Sequence, residues 1–497
     1  MLTGKHLIDG QWVSGKNTFN AVAADEGALV LSAFADGDEK EADAAARAAE
    51  ESFAEYAAMP LAQRAEFLRA IAREIDALGD EITEVAGRET ALPAARLTGE
   101  RARTTGQLNM FAGLAESGAV LDSRKTSPLP DRTPPRPGIV LQHHPVGPAA
   151  IFGASNFPLA FSAAGGDTAS ALAAGCTVVV KGHPSHPGTG ELTAQAICTA
   201  ARACGVPSGV YSLVQGKSPE LSRALVSHPL IQAVGFTGSL STGKALYEIA
   251  STRPQPIPFY GEMGSINPVF VLPGAVSART AEIAAGWVES LVLGAGQFCT
   301  NPGVVFCTED FADVFTSAAM EKISTIGAHT MLSTAIAKSF KDGVESLSKY
   351  ARKAAESSGG AAIFTADLHT WLAEESLHRE VFGPAGVVVR CSSDAMLEVA
   401  RGLEGQLTAT IHADAEDGEL VRKLLPVLAR KAGRLVCNGF PTGVEVCEAM
   451  MHGGPYPAST HSGFTSVGEL AVRRFLRPVC YQNFSENVLP HVAEYRG

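Results

Sequence analysis

Hydrophobic residues between positions 38 and 120 recur three and four apart, with charged residues between them. This spacing is typical of amphipathic helices, and the region is rich in Ala, Leu, Glu and Arg, which favour helix. The Pro-rich segment 123–138 that follows cannot continue a helix. The apolar run 139–145 then predicts a strand, so we expect a helical region followed by an extended arm.

From Val146 onward, short apolar runs end in Gly, Lys or polar residues, at 148–154, 177–182, 231–238 and 267–274. Helical patterns, 157–175 and 187–205, lie between the first of these runs. Continuous apolar strands that alternate with helices are typical of a parallel sheet covered on both faces. The pattern therefore predicts a doubly wound α/β domain.

After Glu262 the alternation of short apolar runs with helical patterns continues, with segments of different lengths. It predicts helices near 277–293, 311–325, 332–358 and 418–432, and strands at 386–390, 407–411 and 434–437. We interpret this part as a second α/β domain. The tail FLRPVCYQNFSENVLP alternates apolar and polar residues, which favours a strand that pairs elsewhere.

Composition narrows the function classes. The 497 residues carry a formal net charge of −12, which disfavours a broad nucleic-acid face because such a face must neutralise phosphates. Nine dispersed cysteines do not form a disulfide framework. No apolar stretch approaches the roughly 20 residues that a membrane span needs. We expect a cytoplasmic protein without nucleic-acid or membrane partners.

Ligands in open α/β sheets bind beyond the carboxyl ends of the strands. That rule selects Gly153–Asn156 after the first strand, Lys181 after the second, and Gly238 with Ser239 after the third. Gly238 and Gly243 frame the start of a predicted helix, whose free N–H groups suit a phosphate. A tight turn would equally require either glycine, and no G-x-G-x-x-G motif occurs.

Cys299 is the cysteine whose surroundings best suit a nucleophile, because it lies in the Gly-rich loop LGAGQFCTNPG. Glu262, in FYGEMGSINP, is a candidate general base, although a loop carboxylate that caps neighbouring backbone fits the same pattern. Glu380 is open to both interpretations. His183 and His186 are separated and followed by prolines, so we expect no metal site there.

Six motifs, taken together, resemble the aldehyde dehydrogenase superfamily. In chain order they are FGASNFP, VVVKGHPSHP, GFTGSLSTG, GEMGSINP, GQFCT and EVFGP. The segments RTTGQL, GGDTASALAAG, HGGPYPAST and RFLRPVCYQ are similar to the α-ketoglutaric semialdehyde (2,5-dioxovalerate) dehydrogenase branch of that superfamily. The resemblance implies a dinucleotide-binding domain (1–125 and 148–258), a catalytic domain (259–465), and an oligomerisation arm and tail (126–147 and 466–497).

The resemblance also implies a mechanism. Cys299 would attack the aldehyde carbon to form a thiohemiacetal, and the Asn156 amide with the Cys299 main-chain N–H would bind the oxyanion. After hydride transfer, Glu262 would activate water to hydrolyse the thioester. The presence of Glu262 favours release of a free acid over transfer to coenzyme A. The implied reaction is oxidation of 2,5-dioxopentanoate to 2-oxoglutarate.

For the cofactor, the resemblance implies contacts by the residues Ser155, Lys181, Gly238, Ser239, Gly243, Glu380 and Phe382. Many NAD-preferring relatives carry a glutamate three residues after the strand-end lysine, and here that position is Pro184. Loss of the carboxylate removes repulsion toward a 2′-phosphate, and Lys181 with Lys217 would attract one. We therefore expect NADP or NAD, with a lean toward NADP, and no metal.

A 2-oxo acid needs a cationic or amide partner, and Arg103 and Gln107 stand four apart on a predicted helix. Phe157 and Phe161 would line the entrance, while a solvated helix arginine is the alternative for Arg103. The family further implies a homo-oligomer, dimer or tetramer. Alternative functions are an aliphatic aldehyde dehydrogenase, a cysteine hydrolase that uses Cys299 with His452 or His461, and a catalytically silent member of the fold.

Overall fold

The protein is described here by a computed structural model that covers residues 2–24, 30–485 and 488–489. The chain divides into two compact units. The first unit comprises Met1–Gly261, Val446–Ala449 and Ser466–Gly497, and the second comprises Glu262–Glu445 and Met450–Thr465. The predicted tail strand extends to 490, and its positions 486, 487 and 490 lie outside the described residues.

The strands are, in chain order, β1 (His6–Ile8), β2 (Gln11–Val13), β3 (Asn17–Val22), β4 (Val30–Asp36), β5 (Arg124–Thr126), β6 (Ile139–Pro145), β7 (Ala149–Phe152), β8 (Val178–Lys181), β9 (Tyr211–Val214), β10 (Ala233–Thr237), β11 (Phe259–Glu262), β12 (Val269–Val271), β13 (Val304–Thr308), β14 (Arg352–Glu356), β15 (Ala362–Asp367), β16 (Ala385–Cys391), β17 (Gln406–His412), β18 (Ala432–Cys437) and β19 (Leu476–Gln482). The helices are α1 (Glu39–Ala57), α2 (Leu61–Ala77), α3 (Asp80–Thr90), α4 (Ala94–Glu116), α5 (Gly166–Ala174), α6 (Pro187–Cys204), α7 (Pro219–Ser227), α8 (Leu240–Thr252), α9 (Pro273–Val292), α10 (Glu309–Ser324), α11 (Thr334–Leu347), α12 (Leu368–Ala373), α13 (Ser393–Gly402) and α14 (Gly418–Leu428).

The sheet of the first unit has the strand order β11-β10-β7-β8-β9-β1-β2. Its strands β10, β7, β8 and β9 are parallel, as the apolar runs predict. The chain moves outward from β7 to β9 and then returns to place β10 on the other side of β7. The order therefore reverses between β7 and β10, and a crevice for ligands is expected at the carboxyl ends of these two strands.

The predicted helical region is confirmed as α1 to α4. Asp38 begins α1 with a capping box, since its side chain accepts from Lys40 N–H and Glu41 accepts from its main chain. Apolar residues of α2 and α4, including Phe67, Ile71 and Phe111, are fully buried in the core of the first unit. Burial of this stripe stabilises the helices more than propensity does.

The second unit contains a sheet of order β14-β15-β16-β13-β12-β17-β18, parallel except for β14 at one edge. The two doubly wound α/β domains predicted from the sequence are thus confirmed. In this second sheet the chain reverses between β12 and β17. The candidate residues Cys299 and Glu380 precede β13 and β16, so they lie at the amino edge of this sheet.

A separate three-stranded sheet of order β19-β6-β5 forms the arm. The predicted strand 139–145 coincides with β6, and the tail supplies β19, which pairs antiparallel with β6 along its whole length. All nine cysteines are free. Within the described part of the chain, no helix combines the length and apolar character needed to cross a membrane.

Two predicted helices differ from the structure. The helical pattern 157–175 becomes helix only from Gly166, because Leu159 and Ala160 donate their N–H groups to the Glu100 carboxylate. The pattern 332–358 ends as helix at Leu347 and continues as the edge strand β14. Pairing of β14 with β15 outweighs the local helical preference of its alanines.

Candidate active site

Cys299 lies in a loop whose path depends on close approach of two main-chain segments. Gly296 has φ of 66°, and a Cβ there would lie 2.3 Å from the carbonyl carbon of Gly383. Only glycine satisfies both conditions without displacing backbone. Asn301 then joins the same segments, since its Nδ2 donates to the carbonyls of Gly296 at 2.6 Å and Gly383 at 3.1 Å.

A buried amide network fixes the main chain of Cys299 itself. Asn267 Nδ2 donates to the Cys299 carbonyl at 2.8 Å, and its Oδ1 accepts from Thr408 and Ser265 at 2.9 Å. Gln406 Oε1 in turn accepts from the N–H groups of Ile266 and Asn267 and lies 2.9 Å from Ser265 Oγ, so the Ser265 proton is shared between the two amide oxygens. The loop is thereby held rigidly, which satisfies the first requirement for a positioned nucleophile.

The Cys299 side chain faces a histidine and a carboxylate. Its Sγ lies 3.4 Å from His452 Nε2, and the same nitrogen lies 3.2 Å from Glu262 Oε2. Glu262 and His452 are 4% and 2% exposed. The sequence predicted Cys299 and Glu262 as catalytic residues, but it indicated His452 only as a partner of Cys299 in the alternative hydrolase function.

His452 is 153 residues away from Cys299 along the chain, so no local pattern pairs them. The sequence feature that could have identified His452 is the glycine pair that follows it, Gly453 and Gly454. A Cβ at Gly454 would lie 2.1 Å from the Gln406 carbonyl oxygen, and Gly453 and Gly433 approach each other just as closely. These contacts return the loop after β18 to the amino edge of the sheet, where the Cys299 loop lies.

The electrostatics of this cluster keep the thiol protonated. Burial raises the pKa of Cys299 well above its usual value, and the nearby carboxylates of Glu262 and Glu380 raise it further. Arg434 acts in the opposite direction on the same pKa. A nucleophile in these surroundings needs a base that takes its proton as it attacks.

Glu380 and Phe382 line one cavity together with Ser265 and Phe298. Burial, with repulsion from Glu262, raises the pKa of Glu380 to about 8. A Cβ at Gly264 would lie 2.5 Å from Glu380 Oε2, so glycine at this position leaves room for the carboxylate. Glu262, Glu380 and Cys299 are thus brought together in the second unit.

Asn156 belongs to the first unit and follows β7. It lies in an irregular segment that is hydrogen-bonded to side chains of α4. Arg96 Nη2 donates to the Asn156 carbonyl at 2.9 Å. Glu100 accepts from the N–H groups of Leu159 and Ala160 at 2.8 and 3.1 Å, and its other oxygen lies 3.9 Å from Arg96 Nε. Arg96 and Glu100 were not predicted from the sequence. This pair holds both ends of the segment that carries Asn156.

Arg103, Phe157 and Phe161 form one cationic and aromatic cluster. The guanidinium carbon of Arg103 lies 5.9 Å from the ring centre of Phe157 and 5.3 Å from that of Phe161, and the two rings meet edge to face. Arg103 is half-buried, unlike a solvated helix arginine. Gln107 is buried and donates to the Ala160 carbonyl at 3.4 Å, a contact that supports the segment from inside.

Lys181 ends β8, and burial lowers the pKa of its ammonium group to about 8, while Asp36 partly counteracts this shift. Asp36, which was not predicted from the sequence, also accepts from the Lys217 N–H at 2.9 Å. Lys217 itself is exposed. The neighbouring His183 and His186 stack at 4.9 Å, and His186 Nε2 lies 3.1 Å from the Ala154 carbonyl oxygen.

The remaining predicted cofactor residues lie at the switch point of the first sheet. Ser155 follows β7, and Gly238 and Ser239 follow β10. Ser239 caps α8 by accepting from Thr242 N–H, and the first turn of α8 exposes Leu240 and Ser241. Gly243 packs inside that turn. A helix N-terminus at the switch point, with a cation at the end of β8, fits a dinucleotide.

Comparison with known proteins agrees with this geometry. The aldehyde dehydrogenase family model matches residues 12–464, and the chain belongs to the aldehyde dehydrogenase family. It is similar to alpha-ketoglutaric semialdehyde dehydrogenase 2 of Azospirillum brasilense, with 49% identity over 98% of this chain and 96% of the relative. The alpha-ketoglutaric semialdehyde dehydrogenase of Acinetobacter baylyi is 46% identical over 98% of this chain and 95% of the relative.

Among solved structures, 3,6-anhydro-L-galactose dehydrogenase in complex with NAP superposes with a TM-score of 0.82. The match has 22% sequence identity and covers 96% of this chain and 99% of that chain, which supports the fold. Family membership makes the protein an oxidoreductase that acts on aldehydes with NAD(P).

Proposed function

We propose that the protein oxidises 2,5-dioxopentanoate (α-ketoglutaric semialdehyde) to 2-oxoglutarate. The observation that carries this substrate is the 49% and 46% identity, over nearly the full length, to two dehydrogenases named for it. The cluster of Arg103, Phe157 and Phe161 supports it, because a half-buried guanidinium beside aromatic rings suits a small carboxylate.

The nucleophile in this proposal is Cys299. Its thiol proton has two acceptors nearby, His452 Nε2 at 3.4 Å and the Glu262 carboxylate, so attack on the aldehyde carbon is coupled to loss of that proton. The Sγ–C bond forms as the carbonyl double bond opens, which gives a thiohemiacetal. We assign to the Asn156 amide and the Cys299 N–H the binding of the oxyanion, a contribution of about 3–4 kcal/mol per donor in other enzymes.

Bound NAD(P) supplies the hydride acceptor. Lys181, Ser155 and Ser239 would hold its adenosine and pyrophosphate, with Gly238 and Gly243 shaping the turn, while Glu380 and Phe382 would hold the nicotinamide ribose and ring. Loss of hydride from the thiohemiacetal carbon leaves a thioester. Glu262 then takes a proton from water, the water oxygen adds to the thioester carbon, and the Sγ–C bond breaks to release the free acid and the Cys299 thiolate. A buried carboxylate with an oxygen within 4.8 Å of the reacting sulfur suits that task.

For cofactor choice, we propose that both NAD and NADP are used, with NADP preferred. Pro184 replaces a carboxylate that would repel a 2′-phosphate, and Lys181 and Lys217 supply positive charge nearby. Asp36 is the neighbouring negative charge, and its Oδ1 already accepts from the Lys217 main chain.

We further propose that residues 1–125 and 148–258 form the dinucleotide-binding domain and residues 259–465 the catalytic domain. Residues 126–147 with 466–497 would be an oligomerisation arm that joins subunits of a homo-oligomer. The edge strands of the β19-β6-β5 sheet support this role, because open edges are templates for pairing. The free cysteines support a cytoplasmic location.

The test compares initial rates of nicotinamide reduction with 2,5-dioxopentanoate, hexanal and glutaraldehyde, each with NAD and with NADP. We expect the highest kcat/KM with the oxo acid and no turnover by Cys299→Ser. Faster oxidation of hexanal would contradict the substrate and favour an aliphatic aldehyde dehydrogenase. Product release by the wild-type enzyme without nicotinamide reduction would favour a hydrolase.

Arg103→Met tests the carboxylate contact, because methionine keeps much of the length and packing of arginine without its charge. We expect kcat/KM for 2,5-dioxopentanoate to fall at least about tenfold while the value for hexanal is retained. Gln107→Leu is the comparison for a residue that acts through packing, and it should affect both aldehydes alike. An equal loss for both aldehydes in Arg103→Met would contradict the assignment.

A further inference from the structure

Three metal-ligating side chains meet at the amino edge of the second sheet. One ligand atom from each of Glu262, Cys299 and His452 lies within 4.8 Å of the other two. Two of the three separations are close contacts, 3.4 Å from Sγ to Nε2 and 3.2 Å from Nε2 to Oε2. The set combines thiolate, imidazole and carboxylate, which is a donor set that Zn²⁺ accepts.

The separations match a tetrahedral zinc site. With bonds of about 2.3 Å to sulfur and about 2.0–2.1 Å to nitrogen and oxygen, neighbouring ligand atoms lie roughly 3.5 Å apart for S and N and roughly 3.3 Å apart for N and O. The observed pairs differ from these edges by about 0.1 Å. The third separation, from Cys299 Sγ to the Glu262 oxygen, is within 4.8 Å, so a bound ion would draw these two atoms closer together.

Hydrogen bonds among these three side chains do not use the full bonding capacity of their ligand atoms. A single nitrogen, His452 Nε2, faces both Cys299 and Glu262, and it offers either one proton or one lone pair. Glu262 Oε2 lies 3.2 Å from His452 Nε2 but makes no hydrogen bond of good geometry to a described residue, although Glu262 is 4% exposed. A divalent cation in the middle would bind all three atoms at once.

We infer that Glu262, Cys299 and His452 form an inhibitory Zn²⁺ site within the catalytic centre. Binding breaks the Cys299 S–H bond and forms a Zn–S bond, and the proton passes to solvent. His452 binds as neutral imidazole and Glu262 as carboxylate, which leaves the fourth position of the ion to water. The nucleophile and the base for hydrolysis are then both withdrawn, so aldehyde oxidation stops reversibly.

The Zn²⁺ site does not depend on the proposed substrate, so metal binding is measured in the absence of any aldehyde. Co²⁺, a spectroscopic substitute for Zn²⁺, is titrated into the reduced full-length enzyme. We expect one equivalent to produce a sulfur-to-cobalt charge-transfer band that Zn²⁺ abolishes. In parallel, Zn²⁺ should inhibit oxidation of any aldehyde substrate, and a chelator should restore it.

Variants identify the ligands. Cys299→Ser should lose the charge-transfer band, and His452→Phe and Glu262→Gln should each weaken Co²⁺ binding at least about tenfold. His461→Gln is the matched control in the same loop and should leave binding unchanged, as should Cys437→Ser on the surface. Absence of the band in the wild type, or its persistence in folded Cys299→Ser, would overturn the site.

Discussion

Arg96 donates a hydrogen bond from Nη2 to the main-chain carbonyl of Asn156 at 2.9 Å. Its guanidinium also lies over the ring of Phe157, with its carbon 4.8 Å from the ring centre. Glu100, one helical turn further along α4, accepts from the N–H groups of Leu159 and Ala160. The Asn156 amide, which is proposed to bind the oxyanion, is therefore positioned by the charged pair Arg96 and Glu100. Neither member of this pair needs to contact the substrate.

Replacing Arg96 by methionine should lower kcat for aldehyde oxidation about tenfold with little change in KM. A charge-assisted hydrogen bond contributes about 1.5–3 kcal/mol, and its loss loosens the residue proposed to bind the oxyanion. Steady-state kinetics checks this, with Arg96→Lys as the conservative variant that should recover part of the rate. A fall in melting temperature without any change in kcat would instead make Arg96 a residue of stability alone.

His452 should accelerate reaction of Cys299 with electrophiles. In His452→Gln, alkylation of Cys299 by iodoacetamide at neutral pH should slow at least about tenfold, because positioned bases typically contribute more than that. The rate is followed by mass spectrometry of the Cys299 peptide, with alkylation of exposed Cys437 as an internal standard. An unchanged rate would leave Glu262 as the acceptor of the thiol proton.

Coenzyme affinity should depend on pH through Lys181. Burial lowers the pKa of its ammonium group to about 8, so the group is a cation at pH 7 and largely neutral at pH 9. The affinity for NADP relative to NAD should therefore fall about tenfold over that interval, since each unit above the pKa reduces the cation tenfold. Fluorescence titrations of both coenzymes measure the ratio, and Lys181→Met should make it independent of pH.

Gly153→Ala should destabilise the first unit and reduce activity. The added Cβ would lie 2.7 Å from Ser162 Cα and 2.8 Å from the Phe161 carbonyl oxygen, both backbone atoms that cannot rotate away. Such overpacking costs about 1–3 kcal/mol, and it would displace the segment that carries Asn156. Thermal unfolding checks this, and Gly190→Ala, whose Cβ meets nothing within 4 Å, should not lower the melting temperature.

The α/β architecture was predictable because strands such as β8 and β10 are short buried apolar runs, and because helices α1 to α4 carry periodic apolar stripes. The end of α11 was not predictable in this way. Residues 352–356 become the edge strand β14 through pairing with β15. Their own composition favours helix, and only the neighbouring strand decides the outcome.

For the candidate site, the rule that ligands bind at carboxyl ends of strands selected Asn156, Lys181 and Ser239 in the first sheet. The same rule does not select Cys299 and Glu380, which precede their strands. Their motifs identified them instead. Arg96 and Asp36 were not predicted, and His452 was predicted only for the alternative hydrolase function, because each acts through a contact made by tertiary folding. For His452 the glycines that follow it are a local signal, whereas no residue close in sequence marks the contacts of Arg96 and Asp36.

The pairing of β6 with β19 has a consequence for biosynthesis. Tyr481 Oη lies 3.0 Å from His144 Nε2, and these two residues are 337 positions apart. At translation rates of about 5–20 residues per second, His144 is synthesised roughly 17–67 s before Tyr481. During that interval one edge of β6 is unpaired on the nascent chain and open to mispairing, and the whole of the second unit is synthesised before β19. The first unit is synthesised first, but it is completed only when its last strand, β19, has been made.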